Sequence, residues 1–351
     1  MRKVTRSLRE REQRLAVLQA RLIDAVGELV TSQDWKRALE FAARFRSRSF
    51  SNTMLIYVQH QTAFAEGRVS EPAPTYVAGF KQWASLDRHV DKGQMGYAIL
   101  APVTGRFASV TPEDRASWRR LARGERPVPG EVIRSRMVGV RPAYVWDVSQ
   151  TSGAPLPDLP RPALLQGKAP TGLWDGLADQ VIARGFGMRS VSNAAAIGGA
   201  NGLTNYTTHE VSIRADMDDA ARVKTLAHEL GHVLLHGPDD GGSLLHRGIA
   251  EVEAESVALM VAAAHGLNTE DYTVPYVSTW ASSVEGKTQV EVLQSTAERV
   301  RTTALTILDR LSTHQIGDGT PPGLDRGLLN QVPRGRSVEK VSRDVAEVTG
   351  P

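Results

Sequence analysis

The stretch His228-Glu229-Leu230-Gly231-His232 has the residue types and the spacing of a metal-dependent hydrolase. It lies within a segment from Val223 to His236 whose pattern predicts a helix, ended by Gly237-Pro238. Two histidines four residues apart lie one turn from each other on the same helical face, so both imidazoles can bind one zinc ion. Glu229 lies beside them and is placed to act as the general base toward an attacking water. Because such a short pattern also arises by chance, the hypothesis needs a third ligand.

A second predicted helix, from Ile249 to Val261, offers that ligand. The helix is largely apolar but carries Glu251, Glu253 and Glu255, and burying several carboxylates is costly without a partner such as a metal. Glu251 and Glu255 share a face, whereas Glu253 points about 200° away from Glu251. We expect Glu251 to bind the metal and Glu255 to orient a histidine, with Glu253 as the alternative ligand. An exposed acidic helix start, favoured by the helix dipole, is the competing interpretation.

His236 continues the one-turn series of His228 and His232, but metal motifs with a third histidine need a longer spacing with a glycine turn. We therefore predict His236 to be a C-terminal helix cap. The resulting His-His-Glu centre predicts metal-assisted peptide hydrolysis, in which Glu229 passes the water proton to the leaving amine. The strand ending near Ile213 is expected to align the substrate by strand addition.

Composition favours an intracellular protein with more than one domain. A length of 351 residues is typical of two domains. The absence of cysteine excludes disulfides and thiolate metal sites and favours the cytoplasm. The first ten residues are charged and lack the apolar stretch of a signal peptide. Since no apolar run reaches membrane-spanning length, we expect no membrane partner.

The net charge of +3 conceals an asymmetry between the two halves. Residues 1–150 carry 25 Lys and Arg against 15 Asp and Glu, whereas residues 151–351 carry 17 against 24. A basic first half predicts contact with a polyanion, nucleic acid above all, although a solvated arginine-rich surface without a partner would look the same.

Hydrophobic periodicity and turn residues predict an α+β protein in five segments. Residues 1–33 form an amphipathic helix with leucines every seven positions, and residues 34–150 form a domain whose first helix is capped by Asp34. Residues 151–172, with five prolines, form a linker; residues 173–311 form the metal-binding domain, and residues 312–351 are expected to be disordered. Within the second segment, residues 104–136 hold eight arginines and predict a mobile loop or short helix.

Several short stretches of the first half resemble the single-stranded-DNA-binding domain of ArdC-type antirestriction proteins. The residues that carry this resemblance are Phe45–Ile56, Gly79–Trp83, Val90–Gly93 and Tyr144–Thr151. The second half, with His228–His232 and Glu251–Glu255, resembles the zincin-like domain of the ImmA/IrrE metallopeptidases, which occurs fused to that domain. The resemblance covers roughly residues 34–310.

The resemblance implies a single-stranded-DNA-binding, zinc-dependent metallopeptidase-like protein of a plasmid or phage that protects incoming DNA from restriction. It implies that His228, His232 and Glu251 hold the metal. The alternative is a zinc metalloendopeptidase that cleaves a regulatory protein and whose basic domain binds protein. Where the family has a basic turn, this chain has Asp87, Asp91, Gln94 and Met95, and the arginines of residues 104–136 are a candidate source of the missing charge.

Binding of single-stranded DNA requires cations for the phosphates and aromatic faces for the unstacked bases. Candidate residues lie where arginines alternate with aromatic residues and where lysines flank a tryptophan. They are Arg44, Arg46, Arg48, Asn52, Lys81, Trp83 and Lys92. Core packing of Trp83 and a solvated helix end around the arginines are the competing interpretations.

Overall fold

The computed structural model describes residues 2–29, 31–156, 167–237, 244–268 and 288–324. These residues form two compact units. Unit 1 contains the chain up to Ala101 together with Arg141–Leu324, and unit 2 contains Pro102–Val140. The division differs from the segment boundaries expected after residues 33, 150 and 172, which remain predictions. The mixture of helices and strands confirms the predicted α+β class.

Helices make up most of unit 1. In chain order they are α1 (Arg2–Gly27), α2 (Ser32–Arg44), α3 (Phe50–Ala65), α4 (Phe80–Ala84), α5 (Leu173–Ile182), α6 (Asp219–Leu235), α7 (Leu244–Ala264) and α8 (Gln289–Leu308). The two helices predicted from Val223 to His236 and from Ile249 to Val261 are thus confirmed as α6 and α7.

Capping side chains explain where several of these helices begin. At α2 the Thr31 hydroxyl accepts from the Asp34 backbone N–H at 3.1 Å, and the Asp34 carboxylate accepts from the Thr31 backbone N–H at 3.3 Å. The prediction that Asp34 itself is the cap was wrong by three residues, because Asp34 is the reciprocal partner within a capping box. Thr288 and Glu291 make the same exchange at the start of α8.

One hydrophobic core joins the N-terminal helices to the metal-binding segment. It contains side chains from α1, α2, α5, α6, α7 and α8 at once, among them Leu18, Leu22, Val26, Trp35, Leu177, Leu226, Val257 and Val300. The Trp35 indole N–H also donates to the Ser256 hydroxyl on α7 at 3.0 Å, and both side chains are buried. Leu18, Leu22 and Val26 of α1 therefore dock on the fold that carries the predicted metal ligands.

The strands of unit 1 belong to three sets. β1 (Val77–Ala78) pairs antiparallel with the end of β5 (Val132–Asp147), and β2 (Arg88–Val90) pairs antiparallel with β6 (Thr151–Gly153). The third set lies beside the metal helices and has the order β7-β9-β8. Its strands are β7 (Gly187–Val191), β8 (Gly202–Asn205) and β9 (Glu210–Arg214). β7 runs parallel to β9, and β8 runs antiparallel to it.

Residues 104–136, for which a mobile loop or short helix was expected, combine parts of three strands with a short 3₁₀ helix (Arg115–Ser117) and an irregular stretch at residues 121–131. Unit 2 contains the end of β3 (Tyr97–Ser109), β4 (Arg119–Arg120) and the start of β5. β4 pairs antiparallel with β3, with Phe107 opposite Arg120. Arg134 and Arg136 are two residues apart on β5, so their side chains project from the same face of an extended backbone.

Residues 312–324 pack onto unit 1, although the sequence places them in a disordered tail. The Arg46 guanidinium donates to the carbonyls of Ile316 at 2.8 Å and Gly317 at 3.3 Å, and the Val77 backbone N–H donates to the Gly319 carbonyl at 2.9 Å. These hydrogen bonds order a segment that has little periodicity of its own. Residues 325–351 lie outside the described residues.

Candidate metal centre and nucleic-acid surface

The first two predicted ligands lie on α6. The Asp218 carboxylate caps this helix by accepting from the Ala221 backbone N–H at 2.8 Å, and His236 ends it. His228 and His232 are therefore one turn apart on a continuous helix, as the sequence predicted. Their side chains are 20 % and 13 % exposed, so the imidazoles border solvent without being freely mobile.

Small residues allow α7 to approach this face of α6 closely. A Cβ atom added to Gly231 would lie 3.1 Å from Ala254 Cα, which is tighter than ordinary van der Waals contact. The two helix backbones are therefore near enough for short carboxylate side chains of α7 to reach the imidazoles of α6. Gly231 contributes through the absence of a side chain, a role that its place in the motif does not reveal.

His228, His232 and Glu251 come together around one point. The Nε2 atoms of His228 and His232 lie 3.0 Å apart. The Glu251 carboxylate oxygens lie 3.4 Å from His228 Nε2 and 3.5 Å from His232 Nε2. Ligand atoms around a tetrahedral Zn²⁺ at about 2.1 Å would be separated by about 3.4 Å. The three side chains thus have the spacing and the donor types of a site for a divalent metal ion.

The electrostatics of this cluster favour a positive charge between the imidazoles and the carboxylate. Burial alone would lower the pKa of His228, but hydrogen bonds to Glu251 and Glu255 outweigh it and raise the pKa to about 10. The pKa of Glu251 lies well below its usual range because it accepts hydrogen bonds from His228 and His232. A divalent cation would supply the same positive charge at the same place.

Glu255 lies behind His228, on the side away from Glu251. Its Oε2 atom is 3.1 Å from His228 Nδ1, and its Oε1 atom is 3.3 Å from Lys224 Nζ. Burial would raise the pKa of Glu255, but the hydrogen bond to His228 and the charge of Lys224 lower it. Glu255 is thus an ionised carboxylate that can hold the His228 ring, which is the position expected from the sequence.

Glu253 faces a different part of the fold from Glu251. Its carboxylate is 2 % exposed and lies 3.0 Å from His236 Nε2 and 3.2 Å from Arg299 Nη2. Among the described residues, the geometry brings Glu251 and not Glu253 to the two motif histidines. His236 ends α6 as predicted, with its backbone N–H bonded to the His232 carbonyl at 2.9 Å, but its ring has further contacts.

Glu229 is buried against β8, and this environment was not anticipated from the sequence. The Thr204 hydroxyl donates to Glu229 Oε2 at 2.7 Å. A Cβ atom on Gly202 would lie 2.6 Å from Glu229 Oε1, so the strand backbone approaches the carboxylate where only glycine fits. Thr204 and Gly202 are 25 and 27 positions before Glu229, and their pairing with it arises only from the fold.

The strand that ends near Ile213, which was expected to align a substrate, does not have a free edge. β9, which contains Ile213, is the central strand and pairs with β7 and β8 on its two sides. That expectation was wrong, because both edges of β9 are occupied. β8 is the edge strand beside α6, and in the part of the chain that the structure describes no further strand pairs with it.

Two of the predicted DNA-contacting residues lie inside unit 1. Trp83 is fully buried, and its indole N–H donates to the Trp146 carbonyl at 3.0 Å, so it presents no face for a base to stack on. Arg46 is 6 % exposed and donates to the carbonyls of Ala43, Ile316 and Gly317. In this structure both side chains stabilise the fold, so their assignment to DNA contact is not supported.

The other predicted DNA-contacting residues differ in their exposure. Arg48 donates to the Val77 carbonyl at 2.8 Å, and burial lowers its pKa to about 10. The Asn52 side chain bonds both the carbonyl and the backbone N–H of Leu100, at 3.0 and 2.8 Å. The exposed members of the set are Arg44, Lys81 and Lys92. Their role in DNA contact stays a prediction.

One surface of unit 2 combines arginines with aromatic rings. The guanidinium carbons of Arg134 and Arg136 each lie 4.9 Å from the Trp118 ring centroid, and that of Arg136 lies 5.6 Å from the Phe107 centroid. Both arginines are exposed, and both rings are partly exposed. We call these four residues the arginine–aromatic face. The sequence marked the stretch as basic, but strand pairing is what brings Phe107 and Trp118 to Arg134 and Arg136.

Two family models match different parts of the chain. Residues 15–136 match the N-terminal domain of the anti-restriction factor ArdC, and residues 192–276 match the IrrE N-terminal-like domain of peptidase family M78. The second match contains both motif histidines, Glu229, Glu251 and Glu255. The chain therefore joins an ArdC-type N-terminal domain to an ImmA/IrrE-type peptidase domain, which confirms the resemblance inferred from its motifs.

Two solved structures of the antirestriction protein ArdC from plasmid R388 resemble this chain. The metal-free structure is 19 % identical, with a TM-score of 0.44 over 74 % of this chain and 84 % of that one. The Mn(II)-bound structure is 17 % identical, with a TM-score of 0.42 over 76 % and 89 %. No curated protein matches the sequence. Among the described residues, helices long and apolar enough to span a membrane are absent.

Proposed function

We propose that this chain is a single-stranded-DNA-binding, zinc-dependent peptidase-like protein of a mobile element with a role in antirestriction. The observation that carries the proposal is the convergence of His228, His232 and Glu251 in the segment that matches a peptidase family, with Glu229 on the same helix as the two histidines. The match of residues 15–136 to an ArdC domain supports the antirestriction and DNA-binding part.

The donor set favours zinc and also accommodates Mn²⁺. Two imidazoles and one carboxylate are the ligands of many catalytic zinc sites, and this set leaves room for a water or a substrate oxygen. Imidazole and carboxylate donors also bind Mn²⁺, with lower affinity in the usual order of divalent metals. When bound, the ion would polarise the scissile carbonyl and make water more acidic.

Glu229 is the residue proposed to move the proton. The residue is 5 % exposed, and the Thr204 hydroxyl donates to Oε2, so the orientation of the carboxylate is fixed before substrate arrives. A carboxylate in this position can take the proton of the attacking water and deliver it to the leaving amine. β8 is the strand proposed to hold the substrate backbone by strand addition, since its outer edge lies beside α6.

Metal titration of the full chain tests the proposed centre. Zn²⁺ and Mn²⁺ are titrated by calorimetry into the wild type, Glu251→Gln and Glu113→Gln. Glu113 is an exposed carboxylate of unit 2 and serves as the matched control. We expect one ion per chain in the wild type and the control, tighter binding of Zn²⁺ than of Mn²⁺, and strong weakening in Glu251→Gln. Equal binding by Glu251→Gln would exclude Glu251 as a ligand.

The arginine–aromatic face of unit 2 is the surface that we propose contacts single-stranded DNA; Arg44, Lys81 and Lys92 are separate candidates in unit 1. Unit 2 carries eight arginines and no lysine against four acidic residues, so phosphates are attracted to it. Guanidinium groups beside partly exposed rings offer both the phosphate contacts and the stacking surfaces that unpaired strands use. Arg119, in contrast, is paired with Glu125 and Glu131.

Salt-dependent binding of a labelled oligothymidylate and of a duplex of equal length tests this surface. The full-length Arg134→Gln/Arg136→Gln double variant is compared with Arg14→Gln/Arg21→Gln, which removes the same charge from exposed positions of α1. Each lost phosphate contact should reduce the slope of log K against log salt by about 0.7. Preference for the duplex, or an equal effect of both double variants, would contradict the proposed surface.

The alternative function is a metalloendopeptidase whose basic domain binds a protein. One observation favours it: β5 exposes apolar side chains in unit 2, with Met137 at 68 % and Val132 at 46 %. Apolar side chains grouped on a strand are typical of a protein-binding surface. Absence of binding to either form of DNA at low salt would favour this alternative.

A further inference from the structure

His236 is a buried imidazole with both ring nitrogens engaged. Its Nδ1 atom lies 3.0 Å from His232 Nδ1, and its Nε2 atom lies 3.0 Å from Glu253 Oε2. Its side chain is 7 % exposed. A helix cap needs only the backbone N–H of this residue, so capping leaves the ring contacts unexplained. Because both nitrogens are occupied, His236 also has no nitrogen to offer to a metal in this arrangement.

The positions of the ring protons on His232 and His236 follow from which nitrogen of His232 faces the proposed metal site. His232 Nε2 faces His228 Nε2 and Glu251, so Nε2 is the ligand atom and must carry a lone pair. A neutral imidazole with its lone pair on Nε2 carries its proton on Nδ1. His232 Nδ1–H then donates to His236 Nδ1, and His236 in turn must carry its proton on Nε2, from which it donates to Glu253.

Glu253 is the last member of this hydrogen-bonded series, and its buried carboxylate also contacts the Arg299 guanidinium. The Arg299 Nη2 atom, on α8, lies 3.2 Å from the same Oε2 atom that accepts from His236. Arg299 also reaches the Leu235 carbonyl near the end of α6, at 3.4 Å. A buried carboxylate is stable when a positive charge and hydrogen-bond donors compensate it, and Glu253 has both. The position of His236 is thus defined from α7 and α8 as well as from α6.

We propose that His236 and Glu253, held by Arg299, are positioning residues that set the tautomer and the orientation of His232 for metal binding. This inference rests on the proposed metal centre. It gives each ligand histidine its own support: Glu255 with Lys224 behind His228, and His236 with Glu253 and Arg299 behind His232. Such hydrogen-bonded partners raise the basicity of an imidazole ligand, and their loss typically weakens metal binding by about 10- to 100-fold.

Substitutions of His236 separate positioning from general stability. His236→Phe keeps a ring of similar shape but removes both nitrogens. His236→Gln offers an amide oxygen that can accept from His232 and an amide N–H that can donate to Glu253. The matched control is His265→Phe, because His265 is also buried near a helix end with two hydrogen bonds, to the Val261 carbonyl and the Thr313 hydroxyl.

The measurements are Zn²⁺ affinity, the visible d–d spectrum of the Co²⁺-loaded full chain, and thermal unfolding with a chelator present. We expect His236→Phe to weaken Zn²⁺ binding by about 10- to 100-fold and to change the cobalt spectrum. His236→Gln should recover most of the affinity. His265→Phe should lower thermal stability but leave the Zn²⁺ affinity and the cobalt spectrum as in the wild type.

Several outcomes would overturn the inference. One is wild-type Zn²⁺ affinity and an unchanged cobalt spectrum in His236→Phe; another is an equal loss of affinity in His265→Phe. If His236→Phe does not fold, Glu253→Gln replaces it, and an unchanged affinity and spectrum in that variant would have the same meaning. A wild-type chain that binds neither Zn²⁺ nor Co²⁺ would refute the proposed metal centre itself, and the positioning role with it.

Discussion

Charged side chains have different surroundings at the metal centre and on the arginine–aromatic face. At the metal centre, Glu253 and Glu255 each hold a histidine on one side and a cation on the other, and both are largely buried. On the arginine–aromatic face, Arg134 and Arg136 are exposed and lie over aromatic rings.

This difference in surroundings implies a difference in function. Buried groups with fixed partners can hold an atom in position, and the loss of one partner leaves another group unsatisfied. Exposed cations attract phosphates over a distance, and each contributes a similar amount that salt reduces. Substitutions at the metal centre should therefore have large and local effects, whereas substitutions on unit 2 should have graded effects that depend on ionic strength.

The largest effect is expected for Glu229→Gln. The amide keeps the size and the contact with Thr204 but cannot accept a proton as a base, so peptide cleavage should fall by about 10²- to 10⁴-fold while metal binding is retained. Cleavage of a mixture of unstructured peptides, followed by mass spectrometry, measures this. Glu28→Gln, at an exposed position after α1, is the control. Full activity of Glu229→Gln would refute its role as the base.

Metal removal should lower the stability of the chain by an amount set by the concentration of free ion. With free Zn²⁺ at one hundred times the dissociation constant, binding stabilises the folded state by about 2.7 kcal/mol. Thermal unfolding with and without a chelator should therefore differ clearly in the wild type and little in Glu251→Gln. An equal response of the two proteins would indicate that the ion binds elsewhere.

Trp118→Ala should weaken binding of the oligothymidylate by about 1 to 3 kcal/mol, which is the usual contribution of one stacked base. Trp174→Ala is a close control, since Trp174 is also partly exposed and has the Arg222 guanidinium carbon 4.4 Å from its ring, but it lies in unit 1 outside the ArdC match. Equal weakening by both substitutions would mean that the arginine–aromatic face is not the specific binding surface for the oligothymidylate.

The smallest effect is expected for Trp35→Phe. This substitution removes the hydrogen bond to Ser256 on α7, next to Glu255, and should lower the free energy of unfolding by about 1 kcal/mol. Urea unfolding of the metal-free protein measures it. Metal affinity should change little, because the ligand side chains keep their partners. A loss of metal affinity as large as that of His236→Phe would show that α2 also positions the ligands.

Spacing along the sequence was sufficient to predict which residues of the metal motif share a helical face. Because an α-helix repeats every 3.6 residues, His228 and His232 must share a face once the segment is helical, and Glu251 and Glu255 must do the same on their helix. The presence of these helices, the charge asymmetry and the family resemblance were likewise accessible, since they depend on neighbouring residues or on motifs that survive in the sequence, although the helix starts were wrong by several residues.

Local sequence patterns could not predict which of the DNA-contact candidates are buried. Arg46 and Trp83 are residue types typical of a nucleic-acid surface, but, apart from the Ala43 carbonyl, the carbonyls to which they donate lie 63 to 271 positions away in the chain. The exposed Arg44, Lys81 and Lys92 look no different in sequence. Whether an arginine meets solvent or a carbonyl depends on which segments pack over it.

The sequence by itself determined which residues share a helical face, because that is a property of the backbone repeat. Only the tertiary structure decided which face of α7 meets α6, and hence that Glu251 reaches the imidazoles while Glu253 lies with His236 and Arg299. It also brought Thr204 to Glu229 and left β8 at the sheet edge. These relations depend on close packing between segments that are distant in the chain, which no local pattern encodes.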